Sequence, residues 1–281
     1  MIPKELEYPI IKKVYKNLTK FIIKTPLIKT SYDLDDFFGT NLSFKLEFLQ
    51  HAGCFKARGA INNILNLNKL QRNAGVTAVS AGNHAIATSY AANKFSIKNK
   101  IFMYKSANKY RIDKVKSLNA NLKLTNPINA FKEVEKASKK EGYYFVHPFD
   151  GKNTVQGSAT LGLEISNQIK NIDNIIISVG GGGLIAGVGS LIRQKFPKCN
   201  IIGVEPSESN GMSESLKFNK PLEKVNYNSI ADSLSPPFHT SYTFAVCKSV
   251  IDEIICVSDQ ELIKTMKFIF ENFKFALEPA C

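Results

Sequence analysis

Long apolar runs are missing from this sequence. No stretch approaches the roughly 18 residues that a membrane span needs, and the opening Met1-Ile2-Pro3-Lys4-Glu5 has no apolar secretory core. A cytoplasmic location with no membrane partner is the expectation. Cysteine is sparse: Cys54, Cys199, Cys247, Cys256 and Cys281 are odd in number, scattered, and never in a Cys-x-x-Cys pair, so neither a disulfide framework nor a zinc knuckle is indicated. His51, His84, His147 and His239 lie far apart without metal-ligand spacing, and metal catalysis is not expected. Arginine-aromatic clusters are missing too. The net charge of +13 raises nucleic acid as a partner, but the lysines are spread along the whole chain with only short pairs such as Lys12-Lys13 and Lys139-Lys140. That pattern reads as a solvated surface able to draw in anionic small molecules. No internal repeat or low-complexity linker divides the chain.

What is present suffices for substantial cores: 281 residues, 44% of them hydrophobic, fit one large or two medium domains. Apolar runs at 76–79, 101–104, 122–124 and 143–146 alternate with helical patterns at 84–95, 109–119 and 129–141. In the second of those helices Ile112, Val115 and Leu118 share a face, and in the third Phe131, Val134 and Ala137 do. Such alternation predicts right-handed crossovers and a parallel sheet. A second unit follows: a helix over 160–169, a strand over 175–179, a helix over 184–196, a strand over 201–204, then a strand over 254–257 and a long helix carrying Leu262, Ile263, Met266, Ile269, Phe270 and Phe273. Earlier, residues 44–48 alternate like a strand, and Ala57, Ala60, Ile61, Ile64 and Leu65 form a helical stripe. The chain is expected to begin and end in one large domain (1–72 and 149–281) and to insert a small one (73–148).

Three short motifs carry chemistry. Gly180, Gly181, Gly182 and Gly183 follow an apolar strand and lead into Leu184-Ile185-Ala186. Glycines there let backbone N–H groups converge on an anion at a helix start, although close strand-on-helix packing wants glycine equally. Lys56 sits in His51-Ala52-Gly53-Cys54-Phe55-Lys56-Ala57-Arg58, at the first turn of the striped helix. The dipole's positive end and partial burial both favour a neutral amine able to form a Schiff base, whereas an ordinary first-turn lysine would simply be exposed. Ser80-Ala81-Gly82-Asn83-His84 follows a strand and opens an alanine-rich helix, suited either to holding a carboxylate or to ordinary capping. A reactive lysine, a phosphate cradle and a carboxylate turn together point to pyridoxal phosphate acting on an amino acid.

These motifs, in the form Lys45-x-Glu47-x-x-Gln50-x-x-Gly53-x-Phe55-Lys56-x-Arg58-Gly59-Ala60, Ser80-x-Gly82-Asn83-His84-Ala85 and Gly180 to Leu184, resemble the serine/threonine dehydratases of the fold-type II pyridoxal-phosphate enzymes. His147-Pro148-Phe149-Asp150, the segment 160–165, Gly203-Val204-Glu205-Pro206, Ile230-Ala231-Asp232 and Glu278-Pro279-Ala280 fall in the family's order as well. The resemblance implies a tryptophan synthase beta-like α/β fold with two parallel-sheet, three-layer domains. It implies Lys56 as the covalent attachment point and the base at Cα, with Phe55 packed on the cofactor ring. Asn83 would bond the phenolic oxygen, and backbone N–H groups of Gly180, Gly181, Gly182, Gly183 and Leu184 would take the phosphate. Ser80, Ala81, Asn83 and His84 would bind the substrate carboxylate, and threonine or serine would become a 2-oxo acid and ammonia. Related serine racemases place at Ala81 a serine that serves as a second acid/base. Alanine cannot carry a proton, so dehydration is favoured over racemisation, with racemase or another β-eliminating lyase as the alternative. Relatives suggest a homodimer.

The sequence also departs from the pattern. Ala52 and Cys54 replace a threonine and a serine, and Ala159 stands where glycine is common, changes on the order of 1 kcal/mol each. Glu205 is a metal ligand in some relatives, but Gly211 occupies the second ligand's position, so that metal site is expected to be weak or absent. The sequence stops at Cys281, where the family continues with a strand whose turn bonds the pyridine nitrogen. A truncated C-terminal segment is therefore expected, whether in a decayed gene product, an incomplete sequence or a chain completed by a partner, and a non-catalytic binding protein is the alternative of another class.

Overall fold

A computed structural model describes residues 2–30, 37–226 and 228–281. The alternating central region folds as a four-stranded parallel sheet in the order β5-β4-β3-β6, with β3 at Val76–Val79, β4 at Asn99–Tyr104, β5 at Leu122–Thr125 and β6 at Tyr144–Phe145. Successive side chains of a strand point to opposite faces, and the packing follows that period. Ile101 and Met103 join Ala85, Ile86 and Val115 from helices α4 (Asn83–Lys94) and α5 (Lys109–Ser117). Phe102 faces the other way, onto Ala130, Val134 and Ala137 of α6 (Pro127–Glu141). The result is the expected three-layer unit.

The second parallel sheet has the order β7-β8-β9, formed by Asn174–Ser178, Asn200–Pro206 and Glu253–Val257. One face carries Ile177, Val179 and Ile201 into the largest core, with α1 (Tyr8–Leu18), α7 (Lys152–Gln168), α8 (Gly183–Lys195) and α10 (Ser241–Val250). On the other side Ile176 and Ile255 stay exposed. Helix α2 (Lys56–Leu65) buries its stripe against α1, α4 and α7 and so ties the two sheets together. Short helices α3 (Lys69–Ala74) and α9 (Gly211–Lys217) and the terminal α11 (Asp259–Phe273) complete the chain.

Two local expectations change. The alternating stretch 44–48 pairs as a strand only over Ser43–Lys45, antiparallel to Leu27–Lys29. These are β2 and β1, and after them the backbone leaves the extended region at Leu46 for a 3-10 turn over Glu47–Leu49. The helix expected from 160 begins eight residues earlier, at Lys152, because Gly157 and Gly162 are close-packing sites and not breakers. A Cβ on Gly157 would lie 2.5 Å from Gly59 Cα, and one on Gly162 would lie 2.9 Å from the Val188 carbonyl oxygen.

Candidate active site

Lys56 is the first residue of α2, and the approach to it is fixed on every side. Gln50 exchanges hydrogen bonds with the backbone of Ile23 at 2.9 and 2.7 Å, His51 stacks on Tyr90, and Ala52 and Gly53 both take positive φ. A left-handed alanine is strained and persists only where the surroundings hold it. Cys54, where the family has serine, is buried, and desolvation pushes its thiol up to about 12. Lys56 Nζ donates to the Pro148 carbonyl oxygen at 3.0 Å and sits 4.8 Å from the centroid of the Phe55 ring. Desolvation draws its pKa below the usual lysine range, opposed by Cys54 and Glu278.

Two residues further, Arg58 is completely buried between two carboxylates. It reaches Glu47 from Nε at 2.8 Å and Glu164 from Nη1 at 2.9 Å, while Lys45 Nζ adds a 2.8 Å contact to Glu164. Burial works against the guanidinium charge, yet Glu47 and Glu164 hold its pKa above the usual value. The network clamps the helix that carries Lys56.

At the tetraglycine turn the glycines are close-packing sites. A Cβ on Gly180 would strike the Leu234 backbone at 2.8 Å, one on Gly181 the Phe149 ring at 2.2 Å, and one on Gly183 the Phe149 carbonyl oxygen at 2.5 Å. Gly182 has φ +83°, a value that side chains disfavour. Among the described residues none accepts a hydrogen bond from the N–H groups of Gly180, Gly181, Gly182, Gly183 or Leu184. Five free donors at a helix start fit the phosphate of the expected cofactor.

In the third motif Ser80 Oγ accepts from Gly82 N at 3.0 Å and α4 begins at Asn83. Ala81 presents only a methyl group here. The His84 ring turns inward, its Nε2 donating to the Val146 carbonyl oxygen at 2.8 Å. Burial, with Lys56 nearby, lowers its pKa to about 3. The imidazole is therefore neutral and committed, and only the backbone N–H of His84 is free to meet a carboxylate. Asn83 Nδ2 donates to Glu278, whose other oxygen accepts from Arg111 at 3.1 Å. The Arg111 guanidinium lies against Gly82, where a Cβ would come within 2.7 Å, and pairs with Asp232 at 2.5 Å.

A small, partly open space of about 10 Å³, room for about one water, is bounded jointly by Lys56, His84, Pro148, Phe149, Gly183 and Leu184. All three motifs therefore converge, although 24 or more residues separate them in the chain. Sequence reasoning gave no role to Arg111, Asp232 or Glu278; the motifs Ile230-Ala231-Asp232 and Glu278-Pro279-Ala280 were the available signal. Glu205, considered above as a cation ligand, instead takes the N–H groups of Met212 and Ser213 at 2.8 Å each, and caps α9. Burial raises its pKa to about 7. Among the described residues no group of three His, Cys, Asp or Glu is arranged to hold a metal ion, and no helix is long and apolar enough to cross a membrane.

Residues 18–281 match the family model described as pyridoxal-phosphate dependent enzyme. Phenylserine dehydratase of Ralstonia pickettii is 42% identical over 94% of this chain and 81% of its own length. The catabolic L-threonine dehydratase of Staphylococcus aureus is 35% identical over 96% of this chain and 79% of its own. Maize serine racemase superposes with a TM-score of 0.90 at 30% identity, covering 98% of this chain and 85% of that structure. With a half-buried lysine, a glycine cradle with free donors and a matched span of nearly the whole sequence, the chain belongs to the pyridoxal-phosphate dependent enzymes.

Proposed function

We propose that the chain is an ammonia-lyase that dehydrates and deaminates a β-hydroxy-α-amino acid, L-threonine and/or L-serine in the first instance, to a 2-oxo acid and ammonia. The meeting of Lys56, the His84 turn and the start of α8 around one small space carries this reading. Bound pyridoxal phosphate supplies an aldehyde that condenses with amines and a ring that accepts electrons from a breaking Cα–H bond. The N–H groups of Gly180, Gly181, Gly182, Gly183 and Leu184 hold its phosphate, Asn83 its phenolic oxygen, and Phe55 borders its ring. The Ser80, Ala81, Asn83 and His84 turn receives the substrate carboxylate. Lys56 Nζ, favoured as a neutral amine by its burial, is the attachment point and takes the Cα proton. Loss of the β-hydroxyl then leaves an enamine, which water hydrolyses.

Racemisation needs a second proton carrier opposite Lys56, and the Ala81 methyl group offers none. The same reading divides the chain into a cofactor-binding unit, 1–72 with 149–281, and an inserted unit, 73–148. It takes the molecule as a cytoplasmic homodimer with no nucleic-acid partner. Purified protein given pyridoxal phosphate is expected to develop a visible absorbance band that borohydride bleaches, and to release 2-oxo acid from a β-hydroxy amino acid. Lys56→Ala is expected to lose the band and roughly 10²- to 10⁴-fold or more in rate. A band that survives Lys56→Ala overturns the assignment of Lys56; a normal band without 2-oxo acid leaves a binding protein.

A further inference from the structure

The Asn83 side chain is read above as the donor to the phenolic oxygen of the cofactor, and an amide can turn either its NH₂ group or its oxygen toward a neighbour. Glu278, 195 positions later in the chain, decides which. One of its carboxylate oxygens accepts from Asn83 Nδ2. An ionised carboxylate has no hydrogen to give to an amide oxygen, so the contact fixes the amide in one orientation. The NH₂ group carries two hydrogens: Glu278 takes one, and the second is left for a further acceptor. The carboxylate is also felt at the reactive amine, since burial lowers the Lys56 pKa and Cys54 and Glu278 oppose that shift.

Glu278 is itself held from several sides. In the segment that carries it, the Phe275 ring lies 5.5 Å from that of Phe48, and the Cys281 N–H donates to the Glu278 carbonyl oxygen at 3.1 Å, closing a turn. The second carboxylate oxygen accepts from Arg111 Nη2 at 3.1 Å, while Arg111 Nη1 reaches Asp232 at 2.5 Å. Arg111 comes from α5 beside the four-stranded sheet, Asp232 from the connection between α9 and α10, and Glu278 from the chain after α11, so one guanidinium joins three distant segments. It lies against Gly82, the residue before Asn83, where a Cβ would stand 2.7 Å from Nη1. Burial works against the guanidinium charge, yet Asp232 and Glu278 hold its pKa above the usual value. That cation matters, because a bare carboxylate beside an ionised phenolic oxygen would repel it. With Arg111 on its far side, Glu278 can hold Asn83 without leaving its negative charge uncompensated.

We propose that Glu278 is a positioning residue: it fixes the Asn83 amide so that the remaining Nδ2 hydrogen is offered to the phenolic oxygen, and Arg111, braced by Asp232, supplies the countercharge that permits this. The proposal rests on the reading of Asn83 as the partner of that oxygen.

The test measures the apparent dissociation constant of pyridoxal phosphate by equilibrium dialysis for wild type, Asn83→Ala, Glu278→Gln, the double variant of both, and Arg111→Met. Glutamine keeps the shape of glutamate but can turn its own NH₂ group to Asn83, so the amide is no longer fixed; urea midpoints check that each variant is folded. Asn83→Ala and Glu278→Gln are each expected to weaken binding about tenfold, the scale of one hydrogen bond to a charged group, and Arg111→Met by a smaller factor. The double variant should bind within about twofold of Asn83→Ala, because Glu278 acts through Asn83 and has nothing to position once the amide is gone. Losses that multiply in the double variant would show a merely structural role and overturn the proposal. Wild-type affinity in Glu278→Gln would overturn it as well, and so would tighter binding, which would mean that the carboxylate competes with the cofactor for Asn83. Normal binding by Asn83→Ala removes the assignment of Asn83 and the positioning role with it, whereas no binding by wild type removes the reading of the whole site.

Discussion

Arg58 shows how much of this site is support for one amine. Lys56 has to be held to a small volume by a helix that its own charge does not anchor, and the anchor is supplied two residues later by a guanidinium with no exposed surface. Its hydrogen bonds to Glu47 and Glu164 cross-link β2's exit turn, α2 and α7. Removing one partner of a buried ion pair leaves uncompensated charge, which costs about 3–5 kcal/mol. Arg58→Met is therefore expected to lower the unfolding free energy by that order in urea titration, and to weaken cofactor retention in the folded fraction. A loss under about 1 kcal/mol would mean that the two carboxylates find other partners. Lys56 itself was legible in the sequence because its motif is local. The clamp was not, because Glu164 lies 106 residues from Arg58 and nothing in local spacing pairs them.

Helices α7 and α8 meet through backbone, with glycine on each. A Cβ on Gly187 would stand 2.6 Å from Ala159 N and from the Val155 carbonyl oxygen. Ala159, where the family often has glycine, is fully buried at this crossing, so the sequence has already used the space that the departure brings. Gly187→Ala returns roughly 1 kcal/mol of helix propensity, against overpacking worth roughly 1–3 kcal/mol. Since the obstruction is main chain and cannot rotate away, the net change is expected to be destabilising. The displaced α8 should also disturb the N-terminus proposed to hold the phosphate. Denaturation midpoints and pyridoxal-phosphate titration of the variant check both effects; unchanged values would show that the crossing has slack. The helix expected over 160–169 extends back to Lys152, and the glycine inside that added stretch, Gly157, packs against Gly59 of α2. Conversely, strands 76–79 and 101–104 were legible because apolar runs bounded by helical stripes need no distant information. The helix Tyr8–Leu18 went unread although Ile11 and Leu18, two turns apart, share one buried face.

The molecule as a whole carries buried titratable groups whose balance sets its acid stability. Burial lowers the pKa values of His84 to about 3, and of His147 and His239 to about 4, while in an unfolded chain each titrates near 6.5. Below about pH 6.5 the unfolded state therefore binds protons that the folded state refuses, and stability falls with pH until the folded values are reached. Glu205 runs the other way: raised to about 7 by burial, against about 4.3 when unfolded, it lets the folded state gain a proton first and adds stability as pH falls. Three histidines against one carboxyl leave a net of two protons, a slope approaching roughly 2–3 kcal/mol per pH unit near pH 5. Urea midpoints of the cofactor-free chain, taken from pH 7.5 to 5, should fall accordingly. His239 isolates the cause, because its ring contacts Ser215 through Nδ1 while Nε2 has no partner. His239→Gln removes one proton from the unfolded side and should flatten the slope by roughly 1.4 kcal/mol per pH unit. An unchanged slope in that variant would show that His239 takes no part in the acid sensitivity.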